Sequence, residues 1–323
     1  MVTLWKKLMS RWSGIDESST VAAEPSRPEV IARTGELSLP SAVAHDGHDH
    51  LARYEVIASL LTDIGCRRKV NEDSGRYVYP RDERVLADKG LLAIVADGMG
   101  GHSAGDVASR IATEVINRVY YDDDAEAGEA LKRAFREANR QIFEAARNDR
   151  ALEGMGTTCT TLVLRQGKAI CAHVGDSRLY LVRDRNIYVL TEDHSAVMEM
   201  VKRGMLTQGE ARHHADKNVI LRALGSHADV QVTVWNEALP IREGDRFLLC
   251  SDGLYDLVED EEIKQAVISQ SPHAACESLI ELAKARGGYD NITVGVLSVT
   301  AASSSEAPTA RATREVEAVS GLE

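Results

Sequence analysis

No apolar run in these 323 residues approaches the roughly 18 consecutive apolar residues of a membrane-crossing helix. The first residues also lack the apolar core of about 7–15 residues that marks a secretory signal. A cytoplasmic protein without a transmembrane segment is expected. Cysteine is sparse and scattered: Cys66, Cys159, Cys171, Cys250 and Cys276 make five, an odd number, and no two stand at zinc-site spacing. Cys159, Cys171 and Cys250 lie inside apolar runs and read as small core residues, a pattern suited to a reducing compartment. Positive charge is in deficit, with 38 Lys and Arg against 50 Asp and Glu and a formal net charge of −12. That excludes duplex nucleic acid as the main partner, because such affinity comes largely from basic side chains on phosphates. It does not exclude one local arginine on one phosphate. Repeats of roughly 20–50 residues, the mark of solenoids and propellers, are absent too.

What is present divides into two polar ends and one body. In residues 1–12, "MVTLWKKLMSRW", Met1, Leu4, Trp5, Leu8, Met9 and Trp12 recur at helical spacing, with Lys6, Lys7 and Arg11 on the other side. This reads either as a short helix docking on a membrane surface or partner, or as a frayed end. The following residues to 50 are rich in Ser, Pro, Ala and Glu, so 1–50 is expected to be a flexible extension. It closes on "HDGHDH", where His45, His48 and His50 are either a metal-binding cluster or an exposed tract. The tail 301–323 is linker-like in the same way. The body, 52–300, can build a core from a chain that is 44% hydrophobic. Its strand candidates are "LLAIVA", "CTTLVLRQ", "KAICAHV", "RLYLVRD", "IYVLT", "FLLCS" and "ITVGVLSV". Turns at Gln166-Gly167 and Gly175-Asp176 make part of this set an antiparallel meander. Helical patterns lie near 103–120, 126–148, 195–203 and 273–285. Strands cluster and helices cluster, which favours an α+β fold.

The stretch 91–105, "LLAIVADGMGGHSAG", ends an apolar strand candidate in an aspartate and a run of glycines. A Walker-type phosphate loop needs a lysine after the last glycine, and Gly100, Gly101 and Gly105 are followed by none. A dinucleotide fingerprint needs its third glycine in register, and here it is displaced. A nucleotide cradle is a poor fit, whereas a cation held by Asp97 is a good one. Asp97 sits where a strand ends, and Gly98 lets the backbone come close to what Asp97 holds. The design recurs at "FLLCSDG" with Asp252, at "AHVGDSR" with Asp176 and at "GGYDNITV" with Asp290 and Asn291, while Glu72 and Asp73 are adjacent in "DIGCRRKVNEDS". One Asp-Gly is an ordinary turn. Several carboxylates brought together repel, and a divalent cation resolves the conflict. All are oxygen donors, which suits Mg or Mn rather than zinc. Two such ions about 4 Å apart can stabilise attacking and leaving oxygens in an in-line displacement.

In order, "DIGCRRKVNEDS", "VADGMGGHSAG", "GMGTTCTTLVL", "AHVGDSRLYLVRD", "LTEDHS", "NVILRALG", "LLCSDGLYD" and "GGYDNITVGVL" resemble the metal-dependent protein phosphatase family, the type 2C serine/threonine phosphatases, in its bacterial branch. The resemblance covers about 55–300 and implies a sandwich of two antiparallel β-sheets flanked by α-helices. It implies that Asp97 bridges two metals, that Gly98 lends a backbone carbonyl, and that Asp252 and Asp290 are further ligands. Glu72 would hold a metal through water, with Asp73 and Asn291 supporting the ligands. Arg68, rather than Arg67, matches the phosphate-binding arginine. Asp176, with Asp256, would serve a third and weaker metal site, and Thr158 matches a position near the centre. Implied with these are Mn or Mg as cofactor and phosphorylated proteins as substrates, opposing a Ser/Thr kinase. The implied reaction is hydrolysis by a metal-bridging water without a phosphoenzyme, and a monomer is expected. Some relatives carry a histidine after the Asp-Gly where this chain has Met99; the acid role is not transferred to His102. Residues 191–226 match the family's flap, read either as substrate recognition or as packing on the body, with His213 and His214 exposed. The alternative is a non-catalytic phosphoprotein-binding module on the same fold, for which a missing aspartate would speak; none is missing.

Overall fold

The computed structural model describes residues 54–100 and 104–301, together with the backbone of 316–317 and 319–320. The expectations placed on residues 1–50, including the helix at 1–12 and the His45, His48 and His50 cluster, lie outside the described residues, as does His102. In chain order the elements are β1 (Tyr54–Asp63), β2 (Asp73–Val78), α1 (Glu83–Lys89), β3 (Leu91–Met99), α2 (Gly105–Asp122), α3 (Ala127–Asn148), β4 (Gly156–Thr157), β5 (Cys159–Arg165), β6 (Lys168–Val174), β7 (Arg178–Arg183) and β8 (Asn186–Val189). They continue as α4 (Ala196–Lys202), α5 (Gln208–Arg212), β9 (Thr233–Val234), β10 (Leu239–Pro240), β11 (Arg246–Cys250), α6 (Asp252–Tyr255), α7 (Asp260–Ser269), α8 (Pro272–Ala285), β12 (Ile292–Ala301), β13 (Val316–Glu317) and β14 (Val319–Ser320).

The strands form two sheets, ordered β14-β1-β12-β11-β7-β8 and β10-β6-β5-β3-β2-β13, with β4 beside β3 and β9 beside β6. Pairing is antiparallel except for the short contact of β14 with β1. Four tail residues take strand pairing, β13 on β2 and β14 on β1.

Side-chain alternation explains the sandwich. In β3, Leu91, Ala93 and Val95 face the opposite sheet, where they meet Leu179, Leu181, Phe247, Leu249 and Leu297. Leu92, Ile94 and Ala96 face the other way, onto α2 and α3. Burial on both faces is why this strand reads as an unbroken apolar run. The sheet that holds β11 and β12 is covered on its outer face by α8, through Ala275, Cys276, Leu279 and Ile280 against Leu248, Cys250, Val294 and Val296. In α3, Ala127, Ala130, Leu131, Ala134, Phe135, Ala138 and Ile142 are buried at helical spacing, and its many alanines let α2 lie close. Helix α8 opens on Ser271, whose hydroxyl accepts from Ala274 N, and has Pro272 in its first turn, a regular start signal.

One buried arginine, itself paired with an aspartate, links the two sheets. Arg183, on β7, donates from Nε and Nη2 to the two carboxylate oxygens of Asp245 at 2.7 and 2.6 Å, and Nη2 also donates to Pro240 O on β10 at 2.8 Å. Both partners are buried. Removing one side of such a pair leaves an uncompensated charge, whereas replacing both by apolar groups is tolerated. Asp245→Ala is expected to lower unfolding stability by about 3–5 kcal/mol, while Arg183→Met with Asp245→Leu together costs less than Asp245→Ala alone. Urea denaturation of the three proteins checks the order; a double variant at least as unstable as Asp245→Ala refutes it.

Candidate metal centre

The acidic motifs meet at one end of the sandwich. Asp97 lies two residues before the end of β3 and is register partner of Asp73, the first residue of β2. Asp252 opens α6 straight after β11, and Asp290 precedes β12, the neighbour of β11. Asp176 lies in the turn between β6 and β7. The backbones here are so close that glycine is required. A Cβ on Gly98 would stand 2.2 Å from the Gly105 carbonyl oxygen and 2.4 Å from that of Glu72, and one on Gly253 would stand 2.0 Å from the Asn291 carbonyl oxygen.

Hydrogen bonds aim the carboxylates. Asp73 Oδ2 accepts from Ser251 Oγ and Thr293 Oγ1, each at 2.7 Å, so an aspartate of one sheet is held by hydroxyls of the other. Asn291 Oδ1 accepts from Glu72 N at 2.8 Å, while Asn291 Nδ2 donates to Ile64 O and Val70 O at 3.0 and 3.1 Å. This single side chain sets the loop that carries Arg68 and Glu72. Glu72 Oε1 accepts from Gly105 N at 3.2 Å, at the start of α2, where a helix favours negative charge. Thr158 Oγ1 accepts from Asp97 N at 3.1 Å and shares a 2.7 Å hydrogen bond with Ser177 Oγ. The Asp97 carbonyl in turn accepts from Thr158 N and Thr157 Oγ1. Arg68 is 45% exposed, donates from Nη2 to Asp290 Oδ2 at 2.7 Å, and stands 3.6 Å from Glu72.

The remaining carboxylate faces lack donors. Oδ1 of Asp73, of Asp176 and of Asp252 is buried with no hydrogen-bond partner among the described residues. Burial pushes the Asp97 carboxyl well above the usual carboxylate range, and the charges of Asp73, Asp252, Asp176 and Asp290 add to it. Burial does the same to Asp252, reinforced by Asp176, Asp290 and Asp256. Asp73 is raised to about 6 by burial, against the hydroxyls of Thr293 and Ser251. Asp176 is raised to about 7 by burial and by Asp193. Glu72 is raised as well, by burial. Among the described residues no three His, Cys, Asp or Glu side chains close into a finished cage. The donor set nevertheless fits divalent cations: donor-less buried carboxylate oxygens, mutual repulsion and only hard ligands. Asp256 sits at the end of α6, 2.5 Å from Lys217 Nζ.

Several supporting residues had no signal of their own in the sequence. Arg178 of "GDSR" forms a bidentate pair with Asp193 of "TEDHS", with contacts of 3.1 and 2.7 Å, and its guanidinium lies 3.7 Å over the Tyr255 ring on α6. His194 Nδ1 accepts from Gly175 N at 3.0 Å and His194 N donates to Gly175 O at 2.7 Å, which fixes the turn that carries Asp176. His194 stacks on His173 with centroids 4.8 Å apart. Burial lowers both imidazoles, to about 3 and about 4. Their place in the quoted "AHVGDSR" and "LTEDHS" motifs was the signal available. His213 is exposed, as expected, whereas His214 is half-buried, its Nδ1 accepting from Asp216 N at 3.1 Å.

The model of the protein phosphatase 2C family matches residues 71–306. The serine/threonine phosphatase stp of Listeria monocytogenes is 37% identical over 243 residues, which cover 73% of this chain and 93% of that one. The structure of the Mycobacterium tuberculosis serine/threonine phosphatase PstP/Ppp superposes with a TM-score of 0.67 at 37% identity, over 76% of this chain and 99% of that one. A structure of the catalytic domain of PstP in complex with two manganese ions gives 0.64 at 36% identity, over 76% and 99%. The chain belongs to the protein phosphatase 2C family of metal-dependent phosphatases, and its two-sheet fold is that of its relatives.

The raised carboxyls set a sign for pH. Asp73, at about 6, and Asp176, at about 7, hold protons in the fold that the unfolded chain loses near pH ~3.9, so the metal-free protein loses stability as pH rises through that window. A cation displaces those protons and reverses the penalty. The lowered His173 and His194 destabilise the fold in acid, but do so with or without metal. Manganese is expected to raise the melting temperature more at about pH 8 than at about pH 5.5. Calorimetric melting with and without manganese checks this; an equal or larger gain in acid contradicts it.

Proposed function

We propose that this phosphatase hydrolyses phosphoserine and phosphothreonine side chains of proteins by direct in-line attack of water on phosphorus, using two divalent cations, Mn or Mg, in its acidic centre. The observation that carries the reading is the set of buried, donor-less carboxylate oxygens on Asp73, Asp176 and Asp252 around Asp97, with the Arg68 guanidinium at the rim. Asp97, Asp252, Asp290, Glu72 and the Gly98 carbonyl would hold the cations, with Asp73 and Asn291 orienting them. Such ions lower the pKa of a water and neutralise phosphoryl oxygens. Arg68 is suited to grip the phosphoryl group bidentately, once a cation has taken over Asp290. Its partial exposure leaves it free to turn towards substrate. The fixed Thr157–Asp97 and Asn291–Glu72 bonds keep the ligands in place during turnover, which is where precise positioning contributes. Met99 has no transferable proton, so that position supplies no general acid.

A non-catalytic binding module would not require every acidic ligand, and the full set stands here. We assign residues 52–300 to the catalytic domain, 191–226 to its flap and the third, weaker cation position to Asp176 with Asp256. A cytoplasmic, monomeric enzyme opposing a Ser/Thr kinase is the biological setting we infer. No helix among the described residues is long and apolar enough to cross a membrane.

Release of phosphate from a phosphothreonine peptide should require manganese and stop with a chelator. Asp97→Asn and Asp252→Asn should each lower kcat/KM by on the order of 100-fold or more, whereas Arg68→Ala should raise KM as well as lower kcat. Metal-independent turnover, or full activity in both aspartate variants, would falsify the assignment.

A further inference from the structure

The flap is fastened to α6 and the turn behind it by two cations of different kinds. Arg212, on α5, donates from Nη2 to Tyr255 O at 2.6 Å and Val258 O at 3.0 Å, and its Nη1 lies 3.0 Å from Glu259. These are carbonyls of the last residue of α6 and of the turn that follows it, which a guanidinium suits. Five residues on, Lys217 places Nζ 2.5 Å from Asp256 Oδ2. The two contacts differ in what a metal can do to them. Backbone carbonyls at a helix end stay where they are. The Asp256 carboxylate belongs to an acidic group in which Asp176 and Asp256 both press on Asp252, and Asp176 and Asp252 each keep a buried oxygen with no donor. A divalent ion at that group carries twice the charge of an ammonium and prefers a carboxylate oxygen to water.

We propose that Lys217 is a tethered cation that competes with a divalent ion for Asp256, so that filling the outer metal position frees the Lys217 arm of the flap while Arg212 keeps it hinged. The proposal rests on the metal-centre reading above. Without the outer ion, the segment 213–219 is drawn onto α6 and covers its end. With the ion bound, Lys217 loses its partner and the segment opens, so metal occupancy is reported at the flap. The coupling is reciprocal: whatever holds Lys217 on Asp256 weakens the outer ion by the same factor. A half-exposed ion pair is a modest restraint, which suits an element that must let go.

The test uses the full chain, calorimetric titration with manganese, and hydrogen exchange over 204–219. In the wild type, exchange across 213–219 should speed up as the weakest manganese site fills. Lys217→Met keeps the side-chain stem and removes the charge. It should tighten the weakest site roughly fivefold, the scale of one partly exposed ion pair, and make exchange fast without manganese. Lys217→Arg should keep the metal-dependent change. Arg212→Ala should speed exchange at every manganese concentration, without tightening the weakest site. Unchanged weak-site affinity in Lys217→Met, with the tight sites intact, would overturn the proposal, as would wild-type exchange that ignores manganese. Loss of the tight sites in the wild type itself would instead overturn the metal-centre reading beneath it.

Discussion

Like charges gathered in a buried place are the constraint around which this molecule is arranged. Asp73, Asp97, Asp176 and Asp252 lie close enough to raise one another's protonation, and three of them keep an oxygen that meets no donor. A chain folding for stability alone would not place them so. The arrangement persists because the frame is rigid on every side. Strands buried on both faces deliver Asp97 and, two residues beyond the end of β11, Asp252, where α6 begins. Divalent cations turn that concentrated repulsion into affinity.

The second theme is that each carboxylate is held by a different part of the chain from the one that carries it. Asp73 on one sheet is gripped by Ser251 and Thr293 of the other. Asn291 governs a loop more than 200 residues earlier, and its bond to Glu72 N spans 219 positions. Thr157 and Thr158 pin the backbone of Asp97 from β4 and its border with β5. Such cross-bracing means that a shift in either sheet is felt at the ligands, and it explains why short polar side chains are buried in an otherwise apolar sandwich. Around this frame, Arg178 and His194 bind the Asp176 turn to the start of the segment 191–226, which we read as the flap. The flap in turn reaches α6 through Arg212 and Lys217. The metal centre, the turn behind it and the segment in front thus share one network of contacts.

Where the sequence was readable, it was so because local chemistry repeats a pattern. Apolar runs followed by Asp-Gly marked β3 and β11, the Gln166-Gly167 turn marked the β5–β6 hairpin, and alanine at helical spacing marked α3. Strand β1, "YEVIASLLTD", lacked clean alternation and escaped notice, and α6, four residues long, is too short to have a period. The roles of Ser251, Thr293 and Thr157 were invisible for another reason: a hydroxyl has no periodic signature, and its partner is chosen by the fold.

Sequence by itself determined the donor chemistry: hard oxygen ligands, one well-placed arginine, no lysine for a nucleotide loop, and a methionine directly after the Asp97-Gly98 pair. It also determined the order of motifs, and with it the family. Tertiary structure alone decided which carboxylates share a site, which of their oxygens are left without donors, and that Lys217 rather than solvent faces Asp256. The reason is physical. Residue type sets what an atom can bind, whereas charge repulsion, burial and hydrogen-bond geometry depend on distances between segments far apart in the chain, and only packing of the two sheets fixes those.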